Sequence, residues 1–164
     1  VSGANLTGVS AGKILQVVQT TSSTQSSSTS TSDVEIFNAA ITPSSSSNEI
    51  SIQVALYVGR GNNETYWSKR GSKKIGGVGG SRGTFINNNS FYNIDEAVTS
   101  SDHSIDALSW NYVDSPSTTS AVTYQIGVKN NQNGTLYVNR TVNDSDTADF
   151  ERGTSEIIAM EVGA

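Results

Sequence analysis

The clearest pattern in the chain is the alternation of apolar and other residues from Glu49 to Val58. A period of two places successive side chains on opposite faces of an extended strand. One face of this strand is therefore expected to lie in a hydrophobic core. The apolar positions that define this face are Ile50, Ile52, Val54, Leu56 and Val58.

Shorter runs of the same kind predict further strands, separated by turn-forming residues such as those at Pro43 and the four serines after it. The predicted strands are Lys13–Thr20, Asp33–Ala39, Ser104–Asp114, Ala121–Lys129, Thr135–Arg140 and Thr154–Val162. The apolar positions that share a face are Val34 and Ile36 in Asp33–Ala39, and Leu108, Trp110 and Tyr112 in Ser104–Asp114. They are Val122, Tyr124, Ile126 and Val128 in Ala121–Lys129, Leu136 and Val138 in Thr135–Arg140, and Ile158, Met160 and Val162 in Thr154–Val162. The Ser/Thr tract Thr21–Ser32 is open to two interpretations, a linker or a polar strand.

The middle of the chain has a different character. Gly59–Gly83 is rich in glycine and basic residues, and it predicts a hairpin over Thr65–Lys74 followed by an exposed loop over Gly76–Gly83. Asn87–Ser101 is irregular, with one helical turn expected at Asp95–Val98. The segment Asn130–Gly134 predicts a hairpin turn.

Composition agrees with a fold built from strands. Serine, threonine, asparagine and glycine replace apolar and charged residues, and all four disfavour helix interiors. Roughly eight to ten short strands without a helix predict an all-β fold, an antiparallel β-sandwich of jelly-roll type. We expect residues 13–164 to form this single domain and residues 1–12 to be a linker or lead-in.

Charge and cysteine content exclude several classes of function. The net charge of −5 argues against a nucleic-acid partner, which requires a basic face. The chain has no cysteine, which rules out disulfides and thiol chemistry. No apolar run is long enough for a membrane helix, so membrane insertion is not expected.

Several phrases of the sequence resemble the C-terminal module of tail-fibre-like proteins of tailed bacteriophages, of the kind frequent in marine and cyanobacterial phages. These phrases are GKILQVVQTT, ITPSSSSNEISIQVAL, DSPSTTSAVTYQIGVKN, YVNR and SEIIAMEV. The resemblance implies a virion structural protein at the particle surface. Such a protein forms a homotrimer and also contacts other virion proteins. It further implies contact with a host-surface glycan or protein. Neither enzymatic activity nor a cofactor is expected. The alternative is an architectural module, a capsid fibre or a baseplate or tail stabiliser, that binds no receptor.

Four residues are predicted to contact the receptor: Tyr66, Trp67, Arg70 and Arg82. Aromatic rings stack on sugar faces, and neighbouring basic groups suit an acidic polysaccharide. The competing interpretation of the two aromatic residues is ordinary packing within the hairpin.

Other arrangements of reactive groups give weaker signals. Asp144, Asp146 and Asp149 share one acidic loop, which is either a solvated turn or a calcium site. The loop does not match the EF-hand pattern. His103 lies between acidic residues but lacks the motif of a serine hydrolase, and no spacing pairs the carboxylates as in a glycoside hydrolase. A polysaccharide-cleaving domain therefore remains a minor third hypothesis.

Overall fold

A computed structural model describes residues 12–59, 64–79, 105–130, 135–145 and 147–163. This part of the chain is all-β, and its strand pairs are antiparallel. The strands are β1 (Lys13–Ser22), β2 (Ser26–Ser28), β3 (Val34–Ile41), β4 (Glu49–Gly59), β5 (Glu64–Arg70), β6 (Lys73–Gly79), β7 (Asp106–Asp114), β8 (Val122–Asn130), β9 (Leu136–Val138) and β10 (Ser155–Gly163).

The first sheet, sheet A, contains six strands that form four rows. Val58 pairs with Asp106 of β7 and with Val138 of β9, so these two strands lie on opposite sides of β4. Strand β10 pairs with β4 on the same side as β9, and β1 and β2 pair with β10 and β9 in turn. From one edge to the other, sheet A therefore has four rows. The first holds β1 and β2, the second holds β10 and β9, the third is β4 and the fourth is β7.

The second sheet, sheet B, has the order β3-β8-β5-β6. Two β-bulges interrupt its register, one between Glu35 and Phe37 and one between Ser68 and Lys69. A bulge adds one residue to a strand and increases its local twist. The bulge in β3 changes which of its residues point inward: Phe37, Ala39 and Ile41 are buried, whereas the predicted Val34 and Ile36 are only half-buried.

The buried faces of the two sheets share one hydrophobic core, as in a β-sandwich. The alternation predicted for β4, β8 and β9 is confirmed, because their apolar positions are at most 9% exposed. Leu108, Trp110 and Tyr112 of β7 also contact this core, as predicted. Hydrophobic burial across the two inner faces is what holds such layers together.

Strand β10 departs from the apolar pattern of the sequence. Ile158, Met160 and Val162 are only half-buried on the outer face, and the inward positions are Ser155, Ile157, Ala159 and Glu161. The Glu161 carboxylate is 1% exposed. Its Oε1 accepts hydrogen bonds from Asn48 Nδ2 (2.6 Å) and from the backbone N–H (2.6 Å) and hydroxyl (2.7 Å) of Ser44, and its Oε2 accepts one from Gln16 Nε2 (2.7 Å).

These hydrogen bonds stabilise the charged form of the carboxylate. The donation from Asn48, with those from Ser44 and Gln16, outweighs the opposing effect of burial and lowers the pKa of Glu161 from 4.5 to about 2. The carboxylate thereby connects β10 to β1 and to the turn between β3 and β4.

A second buried polar group lies where β9 gives way to β10 in the same row. Asn139 is fully buried, and its φ of 58° is a left-handed conformation that asparagine tolerates better than most residues. Its amide donates to the carbonyls of Ser22 (2.9 Å) and Thr24 (3.0 Å) and accepts from the Ser155 hydroxyl (2.5 Å). These bonds fix the junction between the two row partners β1 and β2.

The irregular segments were predicted with mixed success. Part of the Ser/Thr tract forms β2, which confirms the polar-strand interpretation for Ser26–Ser28. The exposed loop predicted from Gly76 is wrong at its start, because β6 continues to Gly79. The helical turn predicted at Asp95–Val98, most of the turn at Asn130–Gly134 and residues 1–11 of the predicted linker lie outside the described residues.

Candidate ligand-binding face

The outer face of sheet B carries a buried tryptophan beneath charged side chains. Trp67 is 2% exposed and pairs with Gly127 of β8, where an added Cβ would overlap Cζ2 and Cη2 of the indole. The Lys69 ammonium lies 4.2 Å from the ring centroid, a cation–π contact. The indole N–H has no hydrogen-bond partner within the described structure. The ring thus supports the lysine above it and is not open to a ligand.

Lys69 and Lys74 both pair with Asp33, which precedes β3. Lys69 donates a hydrogen bond to Asp33 Oδ2, and Lys74 Nζ lies 3.7 Å from Oδ1. Burial raises the pKa of Asp33, but the Lys69 hydrogen bond and the charges of Lys74 and Lys129 outweigh it and lower the pKa below its ordinary value. Three ammonium groups around one carboxylate leave this part of the face positive.

Beside this cluster, three polar side chains form a connected set. Glu35 accepts hydrogen bonds from Asn38 Nδ2 (2.6 Å) and from Gln125 Nε2 (2.5 Å). Both amides therefore hold the carboxylate in place across β3 and β8. Ammonium, amide and carboxylate groups together can donate to the anionic groups of a ligand and accept from its hydroxyls. We call these residues, Asp33, Glu35, Asn38, Lys69, Lys74, Gln125 and Lys129, the sheet B face.

The four predicted receptor contacts do not come together on the surface. Tyr66 is 3% exposed and belongs to the hydrophobic core, and Trp67 is covered as described, so both rings follow the packing interpretation. Because side chains alternate along β5, Tyr66 and Trp67 point to opposite faces of sheet B. Tyr66 is covered by the core and Trp67 by the charged side chains of the outer face. Arg82 lies outside the described residues.

Arg70 is engaged inside the protein. Its Nε donates to Oδ2 of Asp114 (2.5 Å), and the Tyr124 hydroxyl donates to the same oxygen (3.0 Å). The hydrogen bond to Asp114 raises the pKa of Arg70, and burial, followed by the neighbouring carboxylate, raises the pKa of Tyr124. This ion pair joins the end of β5 to β7 and β8, so Arg70 has a structural partner, and its side chain is 25% exposed.

The acidic loop is also tied to basic residues. Asp144 Oδ1 accepts a hydrogen bond from Arg152 (3.0 Å), and Oδ2 lies 3.6 Å from Arg140 Nε. Asp149 is exposed, and Asp146 lies outside the described residues. Among the residues that are described, no three His, Cys, Asp or Glu side chains come together as metal ligands would.

A shallow concavity of about 350 Å³ lies on the outer face of sheet A, lined by Gln53, Ala55, Ser109, Asn111, Glu156 and Ile158. Its volume is at the lower end of the range of ligand pockets, and polar groups line most of it. Gln19 donates to Glu156 at its margin (2.7 Å).

None of the four predicted contacts belongs to the sheet B face. Lys69 and Lys74 lie in the basic stretch Gly59–Gly83 but were not predicted as contacts, although period-two alternation places Lys69 on the same face as Trp67. Asp33 and Glu35 were missed, because β8 separates their strand from β5 and only the strand order brings them close.

Comparisons with known proteins add no family. No protein-family model matches the chain, and no relative is found among the curated proteins. The described residues include no helix long and apolar enough to cross a membrane. The functional interpretation therefore rests on the sequence patterns and on the geometry above.

Proposed function

We propose that this chain is the distal, host-attaching domain of a bacteriophage tail fibre. In this proposal it is a non-enzymatic virion structural protein of jelly-roll fold that assembles as a homotrimer at the particle surface. It attaches by binding a host-surface glycan, and it needs no cofactor.

The observation that carries the proposal is the order of the strand rows. The rows can be numbered in chain order: β1 with β2 is row 1, the six strands from β3 to β8 are rows 2 to 7, and β9 with β10 is row 8. The spatial order of the rows is then 1-8-3-6 in sheet A and 2-7-4-5 in sheet B. Row 1 therefore neighbours row 8, and rows 2 and 7, 3 and 6, and 4 and 5 are likewise neighbours. This order supports the proposed jelly roll, in which a long hairpin is rolled into two sheets; jelly rolls recur in viral capsid proteins and lectins.

Fold alone does not specify function, so the surface chemistry provides separate support. The sheet B face combines three ammonium groups with fixed amides and carboxylates, which suits a polysaccharide that carries acidic groups. Each such site is expected to bind weakly. Three sites in a trimer, repeated over several fibres, raise the effective affinity without tight individual contacts.

A second candidate is the architectural module, which one observation favours. Ile14, Leu15, Val17 and Val113 are large apolar side chains exposed to solvent, and such surfaces are typical of protein–protein contacts. In an architectural module the partner on this surface would be another virion protein, and no host surface would be bound.

Attachment is tested with fluorescently labelled protein and two kinds of target: cells of a panel of cyanobacteria and other marine bacteria, and beads of alginate (acidic) or dextran (neutral). We expect binding to cells and to alginate that weakens at least tenfold in the double variant Lys69→Gln/Lys74→Gln. The matched variant Asn111→Ala, in the sheet A concavity, should bind normally.

Three other results would count against parts of the proposal. Equal loss in Asn111→Ala would move the binding site to sheet A. A folded protein that binds neither cells nor alginate would favour the architectural module. Release of reducing sugar ends from alginate or from the cell glycans would contradict the non-enzymatic assignment and favour the polysaccharide-cleaving hypothesis.

A further inference from the structure

The outer surface of sheet B continues past the sheet B face into an open depression beside the turn between β5 and β6. Its volume is about 550 Å³, which is within the range of ligand pockets. An added Cβ at Gly71, in that turn, would meet nothing within 4 Å, so the depression is open there. We call this surface the β5–β6 depression. It is lined by Arg70, Gly71, Ala121, Val122, Thr123 and Gln125.

Strand β8 joins the depression to the sheet B face. Side chains alternate along a strand, so Thr123, Gln125 and Lys129 point outward, whereas the apolar positions between them face the core. Gln125 belongs to both surfaces. At Gly127, the remaining outward position, the Trp67 ring occupies the space that a side chain would take. The outward surface of β8 is therefore continuous over six residues, roughly 20 Å, which is far more than one sugar ring can span.

The end of this surface at Lys129 is positively charged. Lys69 and Lys74 pair with Asp33, and the charge of Lys129 acts on the same carboxylate. Three ammonium groups against one carboxylate leave an excess of positive charge, which suits an anionic group of a ligand.

The end at Thr123 offers hydrogen bonds without an unpaired charge. Thr123 is exposed, and its hydroxyl makes no hydrogen bond with the described residues. Gln125 donates its amide nitrogen to Glu35 (2.5 Å), which leaves its amide oxygen as an acceptor. Arg70 is the charged residue of the lining, and it is paired with Asp114. A free hydroxyl and an amide oxygen are suitable partners for the hydroxyl groups of a sugar.

We propose that the sheet B face and the β5–β6 depression form one elongated site, which binds an internal stretch of an acidic polysaccharide lying along β8. The ammonium groups hold the anionic group of one sugar, while Thr123 and Gln125 hydrogen-bond the hydroxyls of a sugar further along the chain. One sugar cannot reach both ends, so the ligand is an extended chain. This inference rests on the proposed function and names the form of glycan that the same face recognises.

The test is titration of the ¹⁵N-labelled chain with alginate oligosaccharides of two, four, six and eight sugars, followed by nuclear magnetic resonance. Short soluble ligands exclude the gain in affinity that comes from many sites on one polymer. Affinity should rise at least tenfold from two sugars to eight, because only the longer chains reach the depression. The disaccharide should shift the backbone amide signals of Lys69 and Lys129, and the longer chains should also shift those of Gly71 and Thr123.

Thr123→Glu tests the depression directly, because its carboxylate repels an anionic chain. In about 0.1 M salt this repulsion is screened beyond about 10 Å, so the lysine end is little affected. The variant should bind the eight-sugar chain at least fivefold more weakly than the wild type and the disaccharide within twofold of it. Thr21→Glu is the matched control, an exposed strand threonine of sheet A with the same change in net charge, and it should bind both ligands normally. The spectrum of each variant checks that it is folded.

The outcomes separate this inference from the proposed function. Affinity that is independent of chain length, or the absence of any shift at Thr123, would overturn the elongated site and leave attachment through the sheet B face standing. Equal weakening by Thr123→Glu and Thr21→Glu would attribute the effect to net charge and would also overturn it. A folded chain that binds none of the oligosaccharides and no polymeric alginate would contradict both proposals.

Discussion

Replacing Arg70 by methionine should lower the free energy of unfolding by about 3 kcal/mol, because it leaves the buried Asp114 carboxylate without its main counter-charge. The Asp114 side chain is 1% exposed and accepts two hydrogen bonds from Arg70 and one from Tyr124. Methionine retains most of the apolar stem of arginine, so lost packing contributes little to the difference.

The magnitude follows from the surroundings of the carboxylate. Removing one member of a buried ion pair costs about 3–5 kcal/mol. Lys73 lies 4.0 Å from Asp114 and is 55% exposed, so it can partly replace the lost charge and moves the expectation to the lower end of that range. For a chain of this length, about 3 kcal/mol corresponds to a decrease in Tm of roughly 6–12 °C.

The assay is urea unfolding at neutral pH, followed by tryptophan fluorescence, with Tm measured by calorimetry. Lys73→Met is the matched control and should cost less than about 1 kcal/mol, because the Lys73 side chain is 55% exposed and its ammonium lies 4.0 Å from the carboxylate. The double variant Arg70→Met/Asp114→Asn should recover a large part of the loss, since it removes both charges and keeps an acceptor for the Tyr124 hydroxyl.

The reasoning would be refuted if Arg70→Met cost no more than Lys73→Met. Arg70 would then not be required by the fold. Its guanidinium would again be a candidate for contact with a ligand, as the sequence pattern first indicated.

Two further predictions concern Glu161 and Gly127. The pKa of Glu161 is lowered from 4.5 to about 2, so its contribution to stability is complete above pH 4.5 and is lost as the pH falls towards 2. Urea unfolding across this range should show that loss in the wild type, whereas Glu161→Gln should be less stable at neutral pH and lack this component of the acid dependence; identical pH profiles would contradict the assignment. Gly127→Ala should displace the Trp67 ring, cost about 1–3 kcal/mol and shift the fluorescence emission to longer wavelength. An unchanged emission maximum would show that the ring does not lie on Gly127.

The inward faces that sequence predicted correctly are those with alternating apolar residues along the middle of the strand. Strand β4 and residues Val122–Val128 of β8 follow this rule, and their alternation was sufficient to identify the core. In β10 the rule fails because Glu161 faces inward, satisfied by donors from distant parts of the chain. Periodicity assigns hydrophobic residues to the core, so it cannot anticipate a buried carboxylate whose partners are set by tertiary structure.

The candidate site was predictable only in part, for a related reason. The sequence marked Trp67 as a candidate contact, but it could not show whether that tryptophan is covered. The ring is accommodated because Gly127 lies opposite it on β8, sixty positions further along the chain. Pairings over such separations are fixed by the order of strands in the sheet, which no local pattern specifies.

The pairing of β1 with β10 has a consequence for synthesis of the protein. Gln16 and Glu161 are separated by 145 positions, and β10 lies between β1 and β4 in sheet A. At roughly 5–20 residues per second, β1 leaves the ribosome roughly 7–30 seconds before its partner exists. Hairpins form within microseconds, so the hairpin of β5 and β6 can form long before then. During this interval β1 is an unpaired strand, and the β10 strand of a neighbouring nascent chain can pair with it, which makes exchange of strands between copies an inherent hazard of this topology.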